Sequence, residues 1–317
     1  MKFPVFDLHC DTALELISKK REPASQLLRN KLHIDLERAS KLDGYCQCFA
    51  CFTTPQMLQW YQKSPIDIFE REMDIIMCEV ERNADKIAVA YSAADVKKNL
   101  EEGRMSAIMT IEGPAGFGFD PELLQDMHMA GFRITSLGWN EKNELTGSHM
   151  TGGGLTDRGK AFVKEAQRLG MIVDVSHISD EGFWDIMNIT EAPIVATHSK
   201  SRAVYGSSRN LTDDMFLEIV KTGGVAGFNM YTDFIAEKAD LDKCCDHIFH
   251  FMDLDPSGTH IALGGDLDGC ETLPEGFEGV QDYPKLAQRL LDRGMGEQEV
   301  HRIFWDNALG VMEKCCM

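Results

Sequence analysis

The stretch GMIVDVSHISDEGFWDIMNITEAPIVATHSKSRAVYGSSRNLTDD, residues 170–214, decides the fold. Two short apolar runs, residues 171–175 and 193–196, each lead to a histidine, His177 and His198. Between them an amphipathic segment carries Phe183, Ile186 and Met187, so the unit reads strand, helix, strand. A unit of this length joins parallel neighbours, which brings both imidazoles out at one edge of one sheet. Histidine is the commonest metal ligand, and the carboxyl ends of parallel strands are where ligands and catalytic groups collect.

The same pattern extends in both directions. Residues 5–8 form an apolar strand that runs into His9, Cys10, Asp11 and Thr12, a His-x-Asp pair that one metal ion could take. Residues 44–53 read as a second strand, and residues 106–111 as a third that ends in Glu112. Residues 131–139 make a fourth, followed by a polar loop, 140–156, in which His149 is read as solvated. Beyond the opening stretch, residues 225–229 lead to Tyr231, and residues 260–265 end in Asp266 and Asp268. Helical patterns separate these strands: a charged segment at 14–40, then 65–84, 121–129, 155–169, the segment from Thr212, and finally 283–292 and 297–314. Eight strands alternating with helices, with no evident linker, predict a single (β/α)8 TIM barrel domain over residues 1–317, with its active site at the carboxyl ends of the strands.

Composition narrows the function. A net charge of −19 would repel a phosphate backbone, which argues against nucleic acid as a partner. No run approaches the roughly 18 apolar residues of a membrane span. The first residues, MKFPVFDLHCDT, show no apolar signal region, so a cytoplasmic location without membrane attachment is expected. The 10 cysteines lack the spacing of a disulfide scaffold, and Cys46, Cys48 and Cys51 read as small buried hydrophobes rather than a zinc site.

Together the strand ends supply His9, Asp11, Glu112, His177, His198 and Asp266. Nitrogen and carboxylate donors in this mix suit Zn2+ or a similar ion. There are too many for one tetrahedral ion. Two ions about 3.5 to 4 Å apart, sharing a carboxylate, would use them and trap a bridging hydroxide. Glu112 is the natural bridge, with His9 and Asp11 on one Zn2+ and His177 and His198 on the other.

The motifs LHCDT, IEG at Glu112, DVSH at His177, ATHS at His198, SSRNLTDD at Arg209 and GGDLDG at Asp266 resemble, in order and over nearly the whole chain, the membrane (renal) dipeptidase family, zinc peptidases of the amidohydrolase-like barrel class. The resemblance implies the same ligand assignment. It further implies that Arg209 holds the substrate's carboxylate, as a guanidinium can through two parallel hydrogen bonds, and that Asp266 shuttles the proton from the attacking water to the leaving amine. Asp268 competes for that role, but Asp266 lies nearer the strand end. The implied activity is hydrolysis of a dipeptide, L,L or L,D, in a protein that could be a homodimer. A competing activity is hydrolysis of another carboxylate-bearing amide, such as an N-acyl amino acid or a lactam. Trp139 and Tyr231, at strand ends, are further candidates for substrate contact. Where mammalian members carry a histidine after the fourth strand, this sequence reads SLGWN and places Trp139 or Asn140, neither of which can become a cation.

Overall fold

A computed structural model describes residues 3–18 and 26–316. Its strands are β1 (Val5–Cys10), β2 (Tyr45–Phe52), β3 (Ile87–Val89), β4 (Met105–Glu112), β5 (Phe132–Ser136), β6 (Ile172–Asp174), β7 (Ile194–Val195), β8 (Ala226–Phe228) and β9 (Ile261–Leu263). All pair in parallel, in the order β7-β6-β5-β4-β2-β1-β9-β8. A parallel bridge from Ala196 to Ala226 joins the two ends, so the sheet closes into the expected eight-stranded barrel. Parallel strands covered on both faces read as near-continuous apolar runs, and every residue of β2 and β4 is buried.

The strand missed from sequence is β3. It is only three residues long and pairs with the first half of β4, Ile87 beside Met105 and Val89 beside Ala107. β5 takes over the same edge from Met109 onward. β3 and β5 thus share one edge of β4, which leaves the barrel count at eight.

Two features aim the barrel at its mouth. Between β1 and β2 the register slips: Asp7 pairs with Gln47 but Cys10 with Phe49, so an extra residue is taken up around His9. Bulges of this kind re-aim side chains next to active sites. Below it, Phe6, Cys48, Ile108, Ile134 and Ile172 from five strands meet in one apolar cluster with Trp305. Side chains from so many strands can meet only inside the barrel, so this cluster is its floor. Cys46, Cys48 and Cys51 are buried and unpaired, as expected of small hydrophobes.

Closure also depends on small residues. A Cβ on Gly264 would stand 1.6 Å from the Thr197 carbonyl oxygen, and one on Gly227 only 2.0 Å from it. Only glycine lets β7, β8 and β9 converge there.

Two helices, Met57–Tyr61 and Ala93–Glu101, were not anticipated, and two expected ones differ. The segment 14–40 is not one helix: Thr12–Ile17 and Leu36–Ala39 are separate, residues 19–25 lie outside the described ones, and Asp35 starts the second by accepting the Arg38 N–H at 2.8 Å. The final helix is interrupted by a π turn, Arg302–Asp306, which carries Trp305 to 5.8 Å from Phe6 at the barrel floor. Elsewhere the sequence signals hold. Thr156 and Thr212 cap Asp157–Arg168 and Asp213–Thr222, and Ser64 with Asp67 forms a reciprocal capping box on Pro65–Arg82.

Candidate metal centre

β1, β4, β6, β7 and β9 deliver their end residues to one place. Glu112 stands at the middle, with its two oxygens facing different partners. Oε2 lies 3.2 Å from His9 Nε2, which is itself 3.6 Å from Asp11 Oδ2 and 3.9 Å from Asp266 Oδ1. Oε1 lies 3.1 Å from His177 Nε2 and 3.7 Å from His198 Nε2. The His9 and His198 rings stack at 3.8 Å. All five expected ligands and Asp266 therefore converge.

The donor set fits a divalent cation, and the hydrogen-bond directions show why. His177 Nδ1 is 2.8 Å from Asn140 Oδ1, an acceptor, so it carries the ring proton. His198 Nδ1 is 2.7 Å from Thr197 Oγ1, whose own proton goes to Asp174 Oδ2 at 2.5 Å. Both Nε2 atoms are then bare lone pairs. They face each other at 2.9 Å and face Glu112, an arrangement of acceptors with no proton between them. Burial, reinforced by the Arg209 charge, holds both rings well below the usual imidazole pKa, which keeps them neutral. A polar partner behind each imidazole, here the Asn140 amide oxygen and the Thr197 hydroxyl, fixes the ring as outer partners do in metal sites. On the other side, His9 Nε2 and Asp11 Oδ1 are buried without a hydrogen-bond partner. Without a cation His9 is driven the opposite way. Burial opposes its protonation, but Glu112 and Asp11 outweigh it and raise its pKa. The oxygens and nitrogens of His9, Glu112 and His198, and those of His9, Asp11 and Asp266, fall into two overlapping groups, each within 4.8 Å.

Asp266 and Asp268 are told apart by their partners. Asp268 accepts from Thr12 Oγ1 and from the His33 N–H, both at 2.6 Å, so its two oxygens tie the loop after β9 to the segments after β1. Asp266 has one oxygen toward His9, and its Oδ2 accepts from Asn229 Nδ2 at 2.8 Å. Asn229 Oδ1 accepts in turn from Lys200 Nζ at 3.2 Å. Lys200 is fully buried, its Nζ also donating to the Tyr231 carbonyl at 2.9 Å. His177, Asp266 and Asp268 all have left-handed backbone, φ 68°, 57° and 70°, a costly conformation that clusters at functional sites.

Arg209 is buried, with Nη1 donating to Ser199 Oγ at 3.1 Å, Nη2 to the His198 carbonyl at 3.2 Å, and Nε without a partner. It lines a small cavity with His149, His177, Ser199 and Ser208. His149 corrects the sequence reading. It is half-buried rather than solvated, bonded to Asn140 Oδ1 at 2.9 Å and Ser208 Oγ at 3.0 Å, and burial lowers its pKa to about 4. Trp139 packs 6.2 Å from His177. Tyr231 stands edge-on to Phe234 at 5.0 Å, and burial with Glu271 and Asp233 pushes its hydroxyl pKa up. No described contact joins the Tyr231 hydroxyl to Arg209 or Glu112.

The sequence reading missed Asn140 as a shared acceptor, and Thr197 with Asp174, Asn229 and Lys200. Asn229 carried a signal, since it too is a polar residue where an apolar strand ends.

The family model described as membrane dipeptidase, peptidase family M19, matches residues 1–316. An uncharacterized dipeptidase of Schizosaccharomyces pombe is 34% identical over 223 residues, 68% of this chain and 54% of its own, so the chain spans about half of that relative. An uncharacterized protein of the pqqA 5′ region of Klebsiella pneumoniae is 32% identical, covering 78% of this chain and 96% of its own. The crystal structure of a metallo peptidase from Rhodobacter sphaeroides, liganded with a phosphinate mimic of the dipeptide L-Ala-D-Ala, superposes with a TM-score of 0.88 at 27% identity, over 99% of this chain and 100% of that one. Matched along 316 residues by the family and sharing its barrel, the chain belongs to the membrane dipeptidase family, peptidase family M19.

Proposed function

We propose that the protein is a dipeptidase that works with two Zn2+ ions bridged by Glu112. The observation that carries the reading is the division of Glu112 between two donor sets, Oε2 toward His9 and Asp11, Oε1 toward His177 and His198. Bound ions would supply Lewis acidity to the amide carbonyl and a water acidic enough to attack at neutral pH.

The chain's own groups do the rest. Arg209, whose Nε is buried and unpaired, receives the substrate's carboxylate and so fixes its distance from the centre. The carboxylates of Asp11 and Glu112 attract the free amine at the other end, which limits the substrate to two residues. Asp266, held at one oxygen by Asn229, presents the other to the reacting atoms, takes the water's proton and returns it to the leaving amine. Arg209 alone would suit any carboxylate-bearing amide, so the free amine is the discriminating feature.

Metal analysis and hydrolysis of L,L, L,D and N-acetylated dipeptides, before and after chelation, test this. About two zinc per chain is expected, with chelator-sensitive cleavage confined to free-amine dipeptides. Equal cleavage of the N-acetylated substrates would reassign the substrate to another amide.

A further inference from the structure

The mouth of the site carries an apolar surface that the chemistry above leaves unused. Trp60 is 45% exposed and Leu58 64% exposed, both on the short helix Met57–Tyr61 that follows β2. Single exposed hydrophobic residues are ordinary, but Trp60 is the outer end of a file of rings. It stands edge-on to Trp139 at 5.7 Å, Trp139 stands edge-on to Phe52 at 5.2 Å, and Trp139 also meets His177 at 6.2 Å. Phe52 is the direct partner of Glu112 across β2 and β4. The file therefore runs from beside the central carboxylate to solvent.

Its neighbours fix which end of a substrate it serves. Leu14, Ile17 and Tyr61 pack into the same cluster as Phe52 and Trp139. Tyr61 lies close enough to Glu15, Glu72 and Asp11 for their charges to help burial raise its pKa. The Arg209 cavity, by contrast, shares with this file only His177, to which Trp139 is packed. A dipeptide with its carboxylate on Arg209 and its amine near Asp11 and Glu112 has its amino-terminal side chain on the same carbon as that amine. That carbon lies beside Glu112, whose strand neighbour is Phe52, so the file of rings opens next to the side chain.

We propose that Phe52, Trp139 and Trp60 form a subsite for an apolar side chain on the amino-terminal residue, so that the protein prefers dipeptides beginning with Phe, Leu or Met over those beginning with Gly. The inference rests on the dipeptidase reading. Aromatic faces supply large apolar area with little mobility to lose.

The test measures kcat/KM of the zinc-loaded full chain for Phe-Ala, Leu-Ala and Gly-Ala, in the native protein, Trp60→Ala and Trp60→Phe. Phe-Ala and Leu-Ala should exceed Gly-Ala by about tenfold or more. The Phe-Ala to Gly-Ala ratio should fall about tenfold in Trp60→Ala and recover in Trp60→Phe. Trp60 lies at the surface, so its loss leaves the barrel folded. A flat panel, or a ratio unmoved by Trp60→Ala, overturns the subsite and leaves the dipeptidase reading standing. Failure to cleave any dipeptide overturns both.

Discussion

At the scale of single residues, two aspartates two positions apart do different work because their partners differ. Both oxygens of Asp268 are occupied by Thr12 and His33, whereas Asp266 keeps one toward His9. Asp266→Asn should therefore lower kcat about 10² to 10⁴-fold while metal content stays at the native level. Asp268→Asn should instead lower the melting temperature, because a buried tie between loops is weakened. Steady-state kinetics with metal analysis and thermal scans on both variants check the pair; loss of metal from Asp266→Asn would make that residue a ligand. The candidate ligands were legible because strand ends announce themselves: a buried apolar run followed by histidine or a carboxylate is a local pattern. Asn140, Thr197, Lys200 and Asn229 were not, because each acquires its role from a partner brought in by the fold. Asn140 is one polar residue in a polar loop until His177, 37 positions away, places its Nδ1 against it.

At the scale of elements, even the two- and three-residue strands β6 to β9 were readable, because each lies in a buried apolar run that leads to a histidine, asparagine or aspartate, whereas β3 is only partly buried beyond Ile87 and leads to no such residue. His247 shows how a helix is tied to the loop beside the site. On Leu241–Leu254, its Nδ1 accepts from the Ser201 N–H at 3.2 Å and its Nε2 donates to the Ile235 carbonyl at 3.1 Å. Only the neutral ring can do both. Burial, with Lys200 nearby, lowers its pKa from 6.5 to about 4. The folded-state pKa lies below the unfolded one, so the stabilisation is complete above pH 6.5 and is lost as pH falls through 4. It amounts to something on the order of 3 kcal/mol at most. His247→Gln, which can still accept and donate, should show a shallower loss of stability across that window. Urea titrations of both proteins, metal-free, between neutral pH and pH 4 measure it; identical slopes would remove His247 from the acid response.

At the scale of the whole molecule, the centre gathers Asp11, Glu112 and Asp266 with three histidines in the buried mouth of the barrel. The barrel itself was the most legible part of the chain, because alternating strands and helices admit few closed arrangements. A cation that binds this cluster only when the barrel is formed stabilises the fold by mass action, about 4 kcal/mol at a thousandfold excess over Kd. Chelation should lower the melting temperature by about 5 to 15 °C, and zinc should restore it. Calorimetry on the chelated and reloaded protein decides; an unchanged transition after verified metal removal would separate the centre from the fold.

The closure of the barrel has one more consequence. β7 is two residues long, and its junction with β8 consists of the bridge from Ala196 to Ala226 and a few hydrogen bonds, among them Gly227 N–H to Ala196 O at 2.8 Å and Ser199 N–H to Gly227 O at 2.8 Å. β2 and β4, by comparison, pair over seven consecutive positions, Cys46 to Phe52. Short junctions also join β6 to β7, over two positions, and β1 to β9, at Asp7 and Leu263. His198 leaves β7 at its junction with β8, so a candidate ligand is carried by the barrel's shortest strand, and its position depends on the contacts of the strands to either side.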